Sequence, residues 1–259
     1  MAHKCITVRN ITFGTKELAV PVCVSIMPKG KKELMEEAAG VMQLKPDMIE
    51  WRLDFYLEDF EHLGETTHEL RKLIGNTVLI VTYRTQSEGG RGQVNDKNYQ
   101  QIIWDLMMIG NDCIDFVDVE LARQKGKVLS DMAELDPSIT PLLIGSYHNF
   151  QQTPPDGEMR RILLSMKELG ADIAKLAVMP ESDEDTERLM QLTKQIDDKY
   201  GDELLLMTIS MGEIGKRSRI ESGKFGSCFT FAAAIDGGSA PGQIAVEELR
   251  KLQSELQNV

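Results

Sequence analysis

A chain of 259 residues, 42% hydrophobic and 27% charged, is long enough to bury a sizeable core and has the balance of an ordinary globular protein. A formal net charge of -12, with no local cluster of Lys and Arg, excludes a nucleic-acid-binding surface, yet an anionic small substrate stays open because a pocket's own charges can outweigh the global sign. No segment approaches the roughly 20 apolar residues of a membrane span, and no long apolar stretch follows basic residues at the N-terminus, so a cytoplasmic protein without membrane partners is expected. Cys5, Cys23, Cys113 and Cys228 stand far apart with no C-x-x-C pair, which predicts buried reduced thiols rather than a zinc site or a disulfide framework.

In chain order, "ITVRNITFG" (6–14) reads as a short strand pair able to cover one end of a larger fold. Eight apolar runs follow: "PVCVSIM" (21–27), "MIEWRL" (48–53), "TVLIVTYR" (77–84), "IDFVDVEL" (114–121), "PLLIGSY" (141–147), "DIAKLAV" (172–178), "ELLLMTIS" (203–210) and "FGSCFTF" (225–231). Between them, stretches such as "KKELMEEAAGVMQL", "KNYQQIIWDLMMIG", "GEMRRILLSMKELG" and "EDTERLMQLTKQIDDKY" repeat apolar residues at intervals of three and four, as an amphipathic helix does. Alternating strands and helices imply right-handed βαβ units and a parallel sheet. Eight units in this length predict a single α/β domain over residues 1–259, a closed (β/α)8 TIM barrel with the N-terminal hairpin across its bottom.

Chemistry in such a barrel sits at the carboxyl ends of the strands. Unexpected polar residues collect there. The second run carries Glu50 and Arg52 on one face with Asp54 next in the series, and the third ends in Arg84 before a glycine-rich loop holding Glu88. Asp118 and Glu120 share a face of the fourth, His148 stands at the end of the fifth, and "MGEIGKRSR" and "AAAIDGGSAPGQ" follow the last two. Each has a bland reading: an ion pair for Glu50 and Arg52, a satisfied loop histidine, glycines that are only turns. Asp118 and Glu120 offer too few further ligands at matching spacing for a divalent cation, so no metal is expected. Their coincidence at one end of successive strands is what argues for an active site.

The sixth run sets Lys175 among Ala171, Ile173, Ala174, Leu176, Ala177 and Val178, the pattern of a strand covered on both faces. A lysine there either snorkels outward or pairs, or it is an amine made nucleophilic by burial. Free lysine, with a pKa of about 10.4, is protonated at neutral pH. The apolar flanks, with repulsion from Arg52 or Arg84, are expected to release a useful fraction of the free amine.

Together "EWRLD" (50–54), "TYRTQSEGG" (82–90), "DVEL" (118–121), "SYHNFQQTP" (146–154), "GADIAKLAVMP" (170–180), "TISMGEIGKRSR" (208–219), "FGSCFTF" (225–231) and "SAPGQI" (239–244) resemble the type I 3-dehydroquinate dehydratases, Schiff-base hydro-lyases of the shikimate pathway with a (β/α)8 fold. The resemblance spans nearly the whole barrel; "AAAIDGG" looks slightly longer than the usual form and leaves the shape of the last loop open. It implies that Lys175 forms an imine with the substrate ketone and that His148 is the general acid and base, assisted by Glu88 and by an acid of the fourth run, Asp118 in preference to Glu120. It assigns Arg219 to the substrate carboxylate; Glu50, Arg52, Arg84, Ser239 and Gln243 to its hydroxyls and the ordering of the site; and Met211 and Phe231 to the apolar walls. It implies a homodimer, no cofactor and no metal. Another class I lyase, such as a Schiff-base aldolase, is the alternative enzyme, and a catalytically idle barrel kept as a scaffold is the alternative of another class, against which the intact Lys175, His148 and Arg219 weigh.

Overall fold

The computed structural model describes residues 3–58, 60–234 and 240–256. Strands β1 (Ile6–Val8) and β2 (Ile11–Phe13) form an antiparallel pair. Thereafter strand and helix alternate: β3 (Val22–Ile26), α1 (Lys31–Met42), β4 (Met48–Arg52), α2 (Leu63–Ile74), β5 (Val78–Thr82), α3 (Asp96–Ile109), β6 (Phe116–Glu120), α4 (Lys127–Ala133), β7 (Leu142–Asn149), α5 (Asp156–Glu168), β8 (Ile173–Val178), α6 (Asp183–Tyr200), β9 (Leu205–Ser210), α7 (Lys216–Ile220), β10 (Thr230–Ala232) and α8 (Val246–Leu256).

Strands β3 to β10 make one parallel sheet in the order β10-β3-β4-β5-β6-β7-β8-β9. Its two edges meet at a bridge between Leu206 and Ser227, where Cys228 N donates to Leu206 O at 2.8 Å. The fold is therefore the expected α/β TIM barrel, nearly closed. Successive side chains on a strand point to opposite faces, and this alternation builds two cores. Ile49, Trp51, Val81, Val117, Ala174 and Leu176 face the helices, while Met48, Ile80, Phe116, Ile144, Ile173 and Met207 fill the interior.

The interior is apolar at its amino end, where the hairpin caps it: Phe13, fully buried, lies edge-on to Phe116 (5.6 Å between centroids) and to Phe229 (6.3 Å). At the carboxyl end the same inward series turns polar, and register sets the residues side by side: Thr82 pairs with Asp118, Glu120 with Ser146, and Ser146 with Lys175.

Two expectations need correction. The run 225–231 is strand only from Thr230, because the chain makes a 3-10 turn over Gly223–Phe225 and passes through Gly226 at φ 94°, in the left-handed region that favours glycine. Of the cysteines, Cys23, Cys113 and Cys228 are buried but Cys5 is exposed.

Candidate active site

A cavity of about 250 Å³ opens at the carboxyl ends of the strands. Glu50, Arg52, Arg84, Glu88, His148, Lys175, Met211, Arg219, Phe231 and Gln243, all singled out in the sequence, line it. Ser239 lies outside the described residues.

The inward position of Lys175 follows from strand parity, since Ile173 and Ala177 share its face. Its Nζ is buried 3.0 Å from Asp118 Oδ2 and 3.6 Å from Glu50 Oε1, and lies 4.8 Å from the centre of the Phe231 ring. The charges nearest the amine are thus carboxylates, not the expected arginines, and Leu176, counted as a flank, faces the helices. Glu50 is itself aimed at the amine by Thr82, whose Oγ1 donates to Oε1 at 2.9 Å, and by Ser25 on the other oxygen.

Arg84 is the hub behind the amine. Its guanidinium donates to Asp118 Oδ1 (2.6 Å), Ser146 Oγ (3.0 Å) and Glu120 Oε1 (3.2 Å), and it lies 3.4 Å from Glu88 Oε2. Burial alone would lower its proton affinity, but Asp118, Glu120 and Glu88 raise it further, so the cation is permanent. Burial would likewise push the Asp118 carboxyl up, yet Arg84 and Lys175 hold it well below the usual carboxylate range. Asp118, expected to support His148, instead bonds Arg84, Ser146 and Lys175; Glu120 accepts from the Thr85 backbone and hydroxyl, each at 2.7 Å, and so fixes the start of the loop after β5.

At the end of β7, the His148 backbone N and Nδ1 both meet Glu88 Oε2, at 3.0 and 2.9 Å. Burial, then the Arg84 and Lys175 cations, lowers the imidazole pKa well below its ordinary value. Burial raises the Glu88 carboxyl to about 8, with the Arg84 cation opposing and the Glu120 and Asp118 charges reinforcing the shift. Both shifts favour a pair of neutral groups, as expected where desolvation penalises charge. With Nδ1 donating to Glu88, Nε2 is left to act on a ligand.

Arg219, on the short helix α7, is fully buried. Nη2 donates to Pro241 O at 3.2 Å, while Nε and Nη1 have no partner among the described residues. Burial alone lowers its pKa to about 10, with no carboxylate opposing the shift. A buried guanidinium with two idle donors is a costly arrangement in an empty site and a good one for a carboxylate, which it can grip bidentately.

Sequence reasoning passed over Phe150, stacked on His148 with centroids 6.4 Å apart, and Ile209 and Pro241 on the wall. Behind the wall it missed Ser146, Thr82 and Tyr99, whose hydroxyls meet Asp118, Glu50 and the Glu120 backbone N. Counting back by two from His148, Arg84 and Met211 would have found Ser146, Thr82 and Ile209.

Fold and site together define a (β/α)8-barrel enzyme whose small-molecule site lies at the carboxyl ends of its strands. A family model described as type I 3-dehydroquinase matches residues 22–258. The 3-dehydroquinate dehydratase of Bacillus velezensis is 38% identical over 255 residues, covering 97% of each chain, and that of Clostridium kluyveri is 34% identical over 249 residues, covering 95% of each. Among solved structures, the 3-dehydroquinate dehydratase of Geobacillus kaustophilus superposes with a TM-score of 0.90 at 32% identity, covering 98% of this chain and 97% of its own. The type I 3-dehydroquinate dehydratase of Clostridium difficile with covalent modified comenic acid gives 0.89 at 33%, covering 99% and 98%. The chain belongs to the type I 3-dehydroquinase family and is a hydro-lyase.

Proposed function

We propose that the chain dehydrates 3-dehydroquinate to 3-dehydroshikimate through an imine on Lys175, with His148 moving the protons. The observation that carries this reading is the composition of one cavity: a buried amine, a neutral imidazole held from behind, and a guanidinium with unused donors all line the same small space. The covalent comenic acid of the Clostridium difficile relative is consistent with it, since that molecule pairs a ring carbonyl with a carboxylate.

Arg219 takes the substrate carboxylate and so fixes the ring, with Glu50, Arg52, Arg84 and Gln243 meeting its hydroxyls and Met211 and Phe231 its apolar faces. By the family resemblance Ser239 is assigned to those hydroxyls as well. The Lys175 amine, having given up a proton, bonds to the ketone carbon, and water leaves to give a protonated imine. His148 Nε2 takes a proton from the adjacent carbon, and the electron pair moves to the imine nitrogen, giving a neutral enamine. His148 returns the proton to the departing hydroxyl, the pair moves back as the carbon–oxygen bond breaks, and hydrolysis frees the unsaturated ketone. Glu88 holds the imidazole for both transfers, while Asp118 places the Lys175 nitrogen. No metal or cofactor takes part in this scheme. The proposal includes a homodimer working in the cytoplasm; among the described residues no helix is long and apolar enough to cross a membrane.

Lys175→Ala is expected to abolish turnover of 3-dehydroquinate while circular dichroism stays that of the parent. Retained turnover in a folded variant would defeat the reading.

A further inference from the structure

We infer that Asp54 is a positioning residue that sets His148 through the loop carrying Glu88 while fixing the guanidinium of Arg52. The inference rests on the reading of Glu88 and His148 given above. The Asp54 carboxylate is fully buried, and both oxygens are used twice. Oδ1 accepts from Arg52 Nε at 2.8 Å and from the backbone N of Arg84 at 3.3 Å; Oδ2 accepts from Arg52 Nη2 at 2.8 Å and from the backbone N of Arg91 at 2.9 Å.

Arg84 and Arg91 are the two ends of the loop that presents Glu88. The loop closes on itself near those ends: Gly92 N donates to Arg84 O at 3.0 Å, Gln86 N to Gly92 O at 3.0 Å, and Gly90 N to Thr85 O at 2.9 Å. A Cβ on Gly90 would stand 2.1 Å from Arg84 O, so the closure is tight. One carboxylate therefore ties both stems of the loop to the end of β4, and the loop between them carries Glu88, whose Oε2 bonds His148 Nδ1. Phe55, the next residue, packs its ring beneath the same partners, 4.3 Å from the Arg91 guanidinium carbon and 5.2 Å from that of Arg52. Hydrogen bonds to a charged acceptor are about twice as strong as neutral ones, and four on one buried group leave it little freedom.

The titratable and charged groups facing His148 are Glu88 and Arg84 from this loop, Lys175 of β8, Asp118 of β6 and Arg52 of β4. Asp54→Asn keeps all of them and the side-chain volume, but turns an amide N–H₂ toward one of the two donor pairs. The experiment is steady-state kinetics on 3-dehydroquinate across pH for Asp54→Asn, Glu88→Gln and the double variant. Asp54→Asn is expected to lower kcat by about tenfold, to raise KM through the loosened Arg52, and to move the acid limb of kcat/KM upward as water reaches the imidazole. Because the effect passes through Glu88, the double variant should have a kcat within about twofold of Glu88→Gln alone. An unchanged pH profile in Asp54→Asn, or a full multiplicative loss of kcat in the double variant, would overturn the inference. A Glu88→Gln enzyme with wild-type kcat and pH profile would instead remove the reading beneath it. Should Asp54→Asn not fold, Asp54→Ser carries the same comparison.

Discussion

Burying Glu88 ties the stability of the chain to pH. An unfolded Glu titrates near about 4.3, whereas this one holds its proton to about 8. Between those values the folded state binds the more protons, so its stability falls as pH rises. His148 acts in the opposite sense, its lowered pKa costing stability only below its ordinary value of about 6.5, so from about 6.5 to about 7.5, short of the range in which the buried Cys23, Cys113 and Cys228 thiols ionise once unfolded, the carboxyl governs the slope. Melting temperatures across that interval should fall less in Glu88→Gln than in the parent; parallel curves would show that Glu88 does not carry a raised pKa. Lys175 and His148 were legible in the sequence because the first interrupts an apolar run and the second directly follows one, whereas Arg219, in the polar stretch "GKRSR", was assigned only by the family resemblance. The partners of Lys175 were not, since carboxylates and arginines stand together on β4, on β6 and just past β5, none of them a strand adjacent to β8, and only the closure of the barrel and its register decide which reach the amine.

The hairpin of β1 and β2 works on the opposite end of the barrel from the chemistry. Phe13→Ala empties the space between Phe116 and Phe229 and is expected to cost about 3–5 kcal/mol, read as a lower urea midpoint. KM for 3-dehydroquinate should stay near its parent value, since no hairpin residue lines the cavity. Most elements could be read from period alone: α3, α5 and α6 lie within one residue of the helical stretches, and β4 to β9 fall within their apolar runs or reach two residues past them. The run at 225–231 misled because its aromatic alternation is that of a strand, while the positive φ of Gly226 is not visible in composition. Helix α7, five residues long, shows no periodicity at all, and its importance lies in the single side chain of Arg219.

Across the whole molecule, a net charge of -12 coexists with a site that holds a buried cation for an anion. Binding a carboxylate there is linked to global stability, and a ligand at a hundred times its Kd adds about 2.7 kcal/mol, or roughly 5–10 °C in Tm for a chain of this size. A substrate-like ring carboxylate should give that rise in the parent and little in Arg219→Met; an equal rise in both would place the carboxylate elsewhere. The direct measurement is to add 3-dehydroquinate with borohydride, digest the protein and weigh its peptides. The account predicts one reduced, ligand-sized adduct on Lys175. An active enzyme that yields no adduct, or one on a different lysine, would contradict it.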